Sequence, residues 1–437
     1  MPNPFFYGNP VSPEQFIGRR REVRRIVNRI SNQGQSTAIV GEPRSGKTSL
    51  LLYLAAEETR KDLYGADGKH LLFCFLDAQT LGAKFDQAEF WKYALRPLHN
   101  QVVKPNPDSA LAQAYQTCKD NDFGTFVLER LLAQMSEEGW RLVLLLDEFN
   151  NILHHPVLNS AEFFGSLRSL ASRSRGALAL VIASRYLLEN LNKDTQEFSR
   201  TGSPYFNFLD EIILGPLTEK DIAELLRRDG DRFTADDRRF IVEVGGGHPY
   251  LLQLAAASVW EAYDDNHETG AERRRQQAGH SMYDEAALIM SDTWRIWSPA
   301  TRKAFTAVAL THIPWLLNEH RLYVAKMLRD MRDFEPELHL LEKQGFVAED
   351  RNIPGGWRVR STAFLWWLAD EVRRTVRRET PFEEWLQNQE FEGLLTRGEK
   401  QQIDKAAHVM VDLLKGGVKT LIEAAAKGLG EAIVKKP

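Results

Sequence analysis

Gly41, Gly46, Lys47 and Thr48 fall at the spacing G-x-x-x-x-G-K-[ST] in the stretch VGEPRSGKTSL. That spacing suits a bound phosphate. Glycines let the backbone curl so that several N–H groups point inward, and a helix starting at the loop adds partial positive charge there. Lys47 would neutralise β- and γ-phosphate oxygens, and Thr48 would offer its hydroxyl to Mg²⁺. The candidate nucleotide contacts are Gly41, Pro43, Arg44, Ser45, Gly46, Lys47, Thr48 and Ser49. Further on, RLVLLLDEFNNI ends an apolar run in Asp147 and Glu148. Acidic residues at the C-terminal end of such a strand emerge where parallel sheets bind ligands. Asp147 would hold Mg²⁺ through water, and Glu148 would polarise the water that attacks the γ-phosphate. Both carboxylates also read as N-caps of the helix that follows.

The elements that must position these residues are visible around them. STAIV, just before the loop, reads as a short β-branched strand, and TSLLLYLAAEE after it has helical apolar spacing. ALALVIASR is a further strand ending in Ser184 and Arg185. Ser184 is the residue expected to sense the γ-phosphate, with an ordinary turn serine as the alternative. Between the two strands, FFGSLRSLASRSRGA carries Arg168, Arg173 and Arg175 towards a helix end. Arginine there serves equally as a finger to a neighbouring subunit's γ-phosphate or as a solvated cation complementing the helix dipole.

The chain has 437 residues, 43% hydrophobic and 27% charged, enough apolar content for two or three domains. Its 56 basic and 60 acidic residues give a net charge of −4, so overall basicity does not point to nucleic acid. Cys74 sits in the apolar run LLFCFLDA, and Cys118 is the only other cysteine, so neither a disulfide framework nor a zinc site is implied. No leader pattern and no apolar run of about 18 residues occur, so a cytoplasmic protein is expected.

Together these motifs resemble the AAA+/STAND group of P-loop ATPases, in the bacterial branch near the archaeal MNS-type and origin-recognition-like initiator ATPases. The resemblance rests further on PEQFIGRRREV before the first strand and on GGGHPYLLQLAA after the last. It implies that Phe16, Ile17, Gly18 and Arg19 line the adenine and ribose pocket. It also implies that Gly247, His248 and Pro249 start a lid helix touching the nucleotide from the far side, so His248 and Pro249 join the candidate contacts. The implied cofactors are ATP or ADP with Mg²⁺. No arginine matches the second sensor of AAA+ remodelling enzymes, and His248 occupies that region, which favours a latch over sustained turnover.

The expected fold class is α/β: a P-loop parallel-sheet domain followed by a helical lid, a winged helix and a helical tail. Its expected bounds are an extended segment at 1–15, the nucleotide domain at 16–214, the lid at 215–290, the winged helix at 291–378 and the tail at 379–437. The lid is expected to hinge near Gly215 and Pro216, with Thr218 capping its first helix and Asp221 three residues on. In the winged helix, FVAED and WRVRS flank the turn NIPGG, but the presumptive recognition helix carries Glu335, Glu337 and Glu342. Packing of this element against its own protein is preferred over DNA binding. The tail has an apolar stripe at Ile403, Ala407, Met410, Leu414, Leu421, Ala425 and Leu429, broken at Gly416 and Gly417. It would pack on its own protein, self-associate or dock an effector; Glu423 and Glu431 argue against a membrane surface.

The function expected is a slow, regulatory ATPase acting as a switch that couples nucleotide state to homo-oligomerisation and signalling, as STAND relatives do in bacterial defence. No nuclease, protease or repeat sensor is recognisable, so an effector or sensor would be a separate chain. The alternative is an initiator-like or transposition-regulator ATPase assembling on duplex DNA, motivated by Arg302, Lys303 and the run Arg373 to Arg378. A metabolic kinase is disfavoured because no acceptor-substrate domain is apparent.

Overall fold

The computed structural model describes residues 2–199, 204–265, 270–316, 334–353, 355–377 and 417–427, with residues 398 and 401. The chain divides into two compact units: Pro10–Glu42 with Gly46–Leu214, and Met1–Asn9, Pro43–Ser45 and Gly215–Pro437.

In the first unit, α1 (Arg20–Gln33), β1 (Thr37–Val40), α2 (Lys47–Ala55) and α3 (Glu57–Tyr64) lead to β2 (Leu71–Asp77). Four helices follow: α4 (Gln87–Ala94), α5 (Arg96–Leu98), α6 (Ala110–Asp120) and α7 (Thr125–Glu137). The unit closes with β3 (Arg141–Asp147), α8 (Ala161–Arg173), β4 (Leu178–Ser184), α9 (Leu188–Asp194) and β5 (Asp210–Ile213). Its five strands form a parallel sheet in the order β2-β3-β4-β1-β5. This is the P-loop ATPase fold expected from the motifs.

The alternation of a strand sorts the core. Ala38, Val40, Leu142, Leu144, Leu146, Leu180 and Ile182 face one apolar cluster, and Ile39, Val143, Leu145, Val181 and Ala183 the other. Both faces are therefore covered, as a parallel sheet requires. On one side α1 contributes Val23, Ile26, Val27 and Ile30, an i, i+3, i+4, i+7 stripe. The pairing Val40↔Ser184 and the register Leu146↔Ile182 bring the ends of β1, β3 and β4 level.

The second unit holds α10 (Glu219–Leu226), α11 (Ala235–Gly245), α12 (Pro249–Asp265), α13 (Ala271–Ile296) and α14 (Pro299–Leu316). Then come α15 (Glu335–Gln344), the antiparallel pair β6 (Val347–Glu349) and β7 (Trp357–Val359), α16 (Thr362–Arg377) and α17 (Val418–Ala426). Thr218 caps α10 with a complete capping box, because Asp221 returns a bond to the Thr218 backbone. α12 is apolar nearly all round and buried through most of its length, which makes it the centre of the unit. Phe5, from the chain's N-terminal stretch, is buried and stacks on Phe233 at 5.6 Å. Gly215 and Pro216 are packed rather than loose: a Cβ on Gly215 would meet the Lys343 carbonyl at 2.4 Å, and Pro216 presses on Gly247 and Gly345.

Of the tail, α17 buries Leu421, Ile422, Ala425 and Ala426 on its own chain, with Ile422 against Gly279 of α13. Ile403, Ala407, Met410, Leu414, Leu429, Glu431 and Gly416 lie outside the described residues, as does Arg378. No described helix is long and apolar enough to cross a membrane.

α17 is tied down by a buried ion pair. Arg275 donates to the Ala426 carbonyl at 2.8 Å and to Asp237 at 3.1 Å, and Asp237 is fully buried. Burial alone would raise the Asp237 carboxyl, but bonds from Tyr263, Thr234 and Arg275 hold it below the usual carboxylate range. A depressed carboxyl contributes stability above its unfolded pKa that is lost as pH falls through its folded value. Arg275→Met should therefore cost about 3–5 kcal/mol in urea unfolding at neutral pH, because Asp237 is left buried without its cation. The deficit against the unaltered protein should shrink below about pH 4.

Candidate functional site

Lys47 opens α2 immediately after Gly46, whose φ of 96° only glycine takes without strain; Arg44, two residues earlier, is also left-handed at 63°. The loop thereby turns from β1 into α2, and the first N–H groups of the helix face the loop's concavity. Lys47 is buried, its ammonium donating to the loop's own carbonyls, Gly41 O at 2.8 Å and Glu42 O at 3.1 Å. Burial pushes the ammonium below the ordinary lysine range against the pull of Glu148; Arg185 lowers it further, and Glu42 and Asp147 oppose. A cation so placed gains by exchanging neutral carbonyls for phosphate oxygens.

Thr48 donates its hydroxyl to Asp147 Oδ2 at 2.6 Å, and Asp147 Oδ1 accepts the Glu148 N–H at 3.0 Å. Burial raises the Asp147 carboxyl, and these two bonds work the other way. Glu148 has a left-handed backbone, φ 46°, at the point where β3 leaves the sheet. Arg185 grips its carboxylate with two bonds, Nε to Oε2 at 3.0 Å and a terminal nitrogen to Oε1 at 3.3 Å. The Arg185 N–H also donates to Asn150 Oδ1, which steadies the turn after β4.

Ser184 is fully buried at the end of β4; its hydroxyl accepts the Tyr186 N–H, and its carbonyl accepts the Gly41 N–H. The polar group that reaches Glu148 from this strand end is Arg185. Sequence reasoning named Arg185 only as the residue after Ser184, because local spacing does not say that β4 lies beside β3. Phe16, partly buried, stacks on Tyr53 with ring centroids 4.4 Å apart, a second residue that the motifs did not mark. Ile17 is half-buried, Gly18 has a φ of 77°, and Arg19 is buried at the N-cap of α1. Ser49 accepts the Val11 N–H with its hydroxyl.

His248 and Pro249 belong to the second unit, where Pro249 opens α12 and the His248 carbonyl accepts the Leu252 N–H. Pro43, Arg44 and Ser45 cluster with that unit too. Arg173 ends α8 and pairs with Glu129 at 3.4 Å, and Arg175 follows with a φ of 53°. Both precede β4, so the length of that strand separates them from Ser184. Of the residues that suggested DNA, Arg302 donates to the Trp294 and Arg295 carbonyls, and Lys303 lies over the Phe334 ring. Arg373 and Arg374 pair with Asp370. Cys74 and Cys118 are buried thiols, both pushed up to about 12 by burial, hence poor nucleophiles.

Replacing Lys47 by alanine should weaken nucleotide binding by about 100-fold, since two charge-assisted bonds are worth roughly 1.5 kcal/mol or more each. Titration with a fluorescent ATP analogue reads this directly.

Residues 9–269 match the family model of an AAA-like domain, more than half of the chain. No curated protein matches the sequence. Among solved structures, the chain is similar to a Walker-type ATPase of Pyrococcus abyssi at 18% identity and a TM-score of 0.51, over 84% of this chain and 99% of that one. It also resembles the ORC2 protein of Aeropyrum pernix in ADPNP–ADP complexes, at 14% identity, a TM-score of 0.46, and 85% and 98% coverage. A Drosophila ORC bound to DNA matches at 13% identity and a TM-score of 0.41, over 82% and 88%. Likeness at such identities concerns the fold.

Proposed function

The chain belongs to the AAA-like domain family, and on that premise we propose that it is an ATP-binding switch of STAND type. It hydrolyses its nucleotide slowly and couples the ATP or ADP state to self-assembly and signalling. The observation that carries this reading is the grip of Arg185 on Glu148.

A carboxylate that polarises an attacking water needs a free oxygen to accept that water's hydrogen bond. With both oxygens bonded to one guanidinium, Glu148 is a weaker acceptor for such a water and is held towards Arg185. A γ-phosphate carries more charge than a carboxylate and competes for the same guanidinium fork. ATP would therefore draw Arg185 off Glu148, whereas ADP would leave the pair closed. Hydrolysis is then conditional and slow, as befits a latch.

The donor set fits a magnesium ion. Thr48 Oγ1 and Asp147 Oδ2 lie 2.6 Å apart, hard oxygens of the kind Mg²⁺ takes beside substrate phosphates and water. When bound, the ion would supply charge neutralisation at the β- and γ-phosphates. Lys47 would hold the same oxygens from the helix side, Phe16 and Tyr53 would flank the adenine, and Arg173 or Arg175 would serve a neighbouring copy.

Duplex DNA is the less supported partner, because Arg302, Lys303, Arg373 and Arg374 are engaged within the chain. α17 is likewise occupied on its own protein, which leaves the rest of the tail as the region for a separate effector.

Two measurements test the reading. Arg185→Ala should lower the ratio of ATP to ADP affinity by about tenfold, the loss of one charge-assisted contact to the γ-phosphate; an unchanged ratio would remove Arg185 from the switch. Mass and ATPase rate, followed together, should show larger assemblies with ATP, strongest in Glu148→Gln, and slow turnover in the unaltered protein. A chain that stays monomeric with every nucleotide until duplex DNA is added would overturn self-assembly by ATP alone and favour the DNA-dependent account.

A further inference from the structure

Within the second unit a cavity of about 740 Å³ opens between α10, α11 and the β6–β7 pair. No residue of the phosphate loop lines it, and neither does His248 or Pro249. Its volume lies within the range of small-molecule sites. Pro216, Leu217, Ile222, Val242, Ile353 and Val359 give it an apolar wall.

The floor is rigid. A Cβ on Gly246 would meet the Ser361 backbone nitrogen at 2.5 Å, and one on Gly247 would meet the Pro216 ring at 2.7 Å, so both glycines are in close contact with their neighbours. The space is therefore preformed and not a product of loose packing.

Among the described residues, one cation on its wall makes no ion pair. Arg238 is held by Asp229 at 2.8 Å, Arg239 by Asp236 at 3.2 Å, and Arg358 lies 3.8 Å from Asp350. His312 is buried and accepts the Val359 N–H; burial and the nearby Arg358 push it down to about 3, so it is neutral. Arg360 differs. Among the described residues its guanidinium makes no ion pair; its Nε, like that of Arg238, is shielded from solvent with no acceptor, but Arg238 has Asp229 to neutralise it. Burial and the neighbouring Arg358 disfavour the charge of Arg360, and Glu342 and Glu219 support it only from a distance. A guanidinium is a rigid fork of donors that a planar or tetrahedral oxyanion satisfies with two bonds at once.

We propose that this cavity binds a small molecule carrying one oxyanion, a carboxylate or a phosphate, on an apolar body, with Arg360 as its anchor. The apolar body lies against Pro216, Ile222 and Val359. Glu219 and Glu243 on the same wall disfavour polyanions, which restricts the ligand to a single such group. The occupant touches residues beside α10, on α11 and on β7 at once, so it ties those elements together and stabilises one arrangement of the unit.

The test uses the full chain with Lys47→Ala, so that the phosphate loop does not take up the probe. Calorimetric titration with benzoate and with phenyl phosphate should give one saturable site for at least one of them; the better binder identifies the oxyanion. Arg360→Met on the same background should weaken that binding by about tenfold or more, with Arg360→Lys intermediate. Val242→Trp adds bulk to the cavity lining while leaving the Arg360 side chain in place and should abolish binding; it decides the matter if Arg360→Met fails to fold. Binding of neither probe into the millimolar range, or equal affinity in Arg360→Met or Val242→Trp, would overturn the proposal.

Discussion

The hydrogen bond from Thr48 to Asp147 joins residues 99 apart in sequence, and the arrangement of the site depends on what lets it form. β1 and β3 are not neighbours in the sheet; β4 lies between them. For the ends of β1 and β3 to meet, β4 must stop at the same level, and the pairings Val40↔Ser184 and Leu146↔Ile182 show that it does. A one-residue slip would turn each of its side chains to the opposite face and unmake both cores. The packing of alternate residues into two apolar clusters therefore fixes the register, and the register fixes the site.

The same constraint explains Arg185. A residue just beyond the end of the central strand is flanked on one side by the phosphate loop and on the other by the acids that follow β3. Its guanidinium can serve either. In this structure it serves Glu148, and the competition between a carboxylate and a phosphate for one fork of donors is a sufficient physical basis for a two-state device. The proposed switch needs no long-range relay, because it turns on the partner that one side chain takes.

Much of this was legible in the sequence, because it is carried by local spacing. Gly41, Gly46, Lys47 and Thr48 define their own loop, and the apolar runs before Asp147 and Ser184 declare strands buried on both faces. The Arg185–Glu148 pair was not legible, since it depends on which strands are adjacent, a fact that no local pattern carries. The stack of Tyr53 on Phe16 is hidden for the same reason. Charge counting left the partners of a further group unassigned. Arg302, Arg373 and Arg374 read as a basic surface in sequence, yet two of them share Asp370 and the third caps helix carbonyls. A charge's meaning is set by its nearest partner, and nearest partners are tertiary.

The second unit follows a different logic. Glycine at 246, 247 and 345 allows close approach: Gly246 lies on the Ser361 backbone, and both Gly247 and Gly345 lie on the Pro216 ring. Each has a positive φ, so a side chain there would be strained as well as obstructed. Gly215, beside Pro216, is pinned against the Lys343 carbonyl. Gly215 and Pro216, where the sequence suggests a hinge, thus make close contacts in the unit, because glycine permits close approach as readily as it permits motion. What leads into α10 is held by α15 and by the turn before α12 together, so displacing one of these elements disturbs the packing of the other two. That mutual dependence is what would allow a ligand seated on their shared wall to act on the unit as a whole.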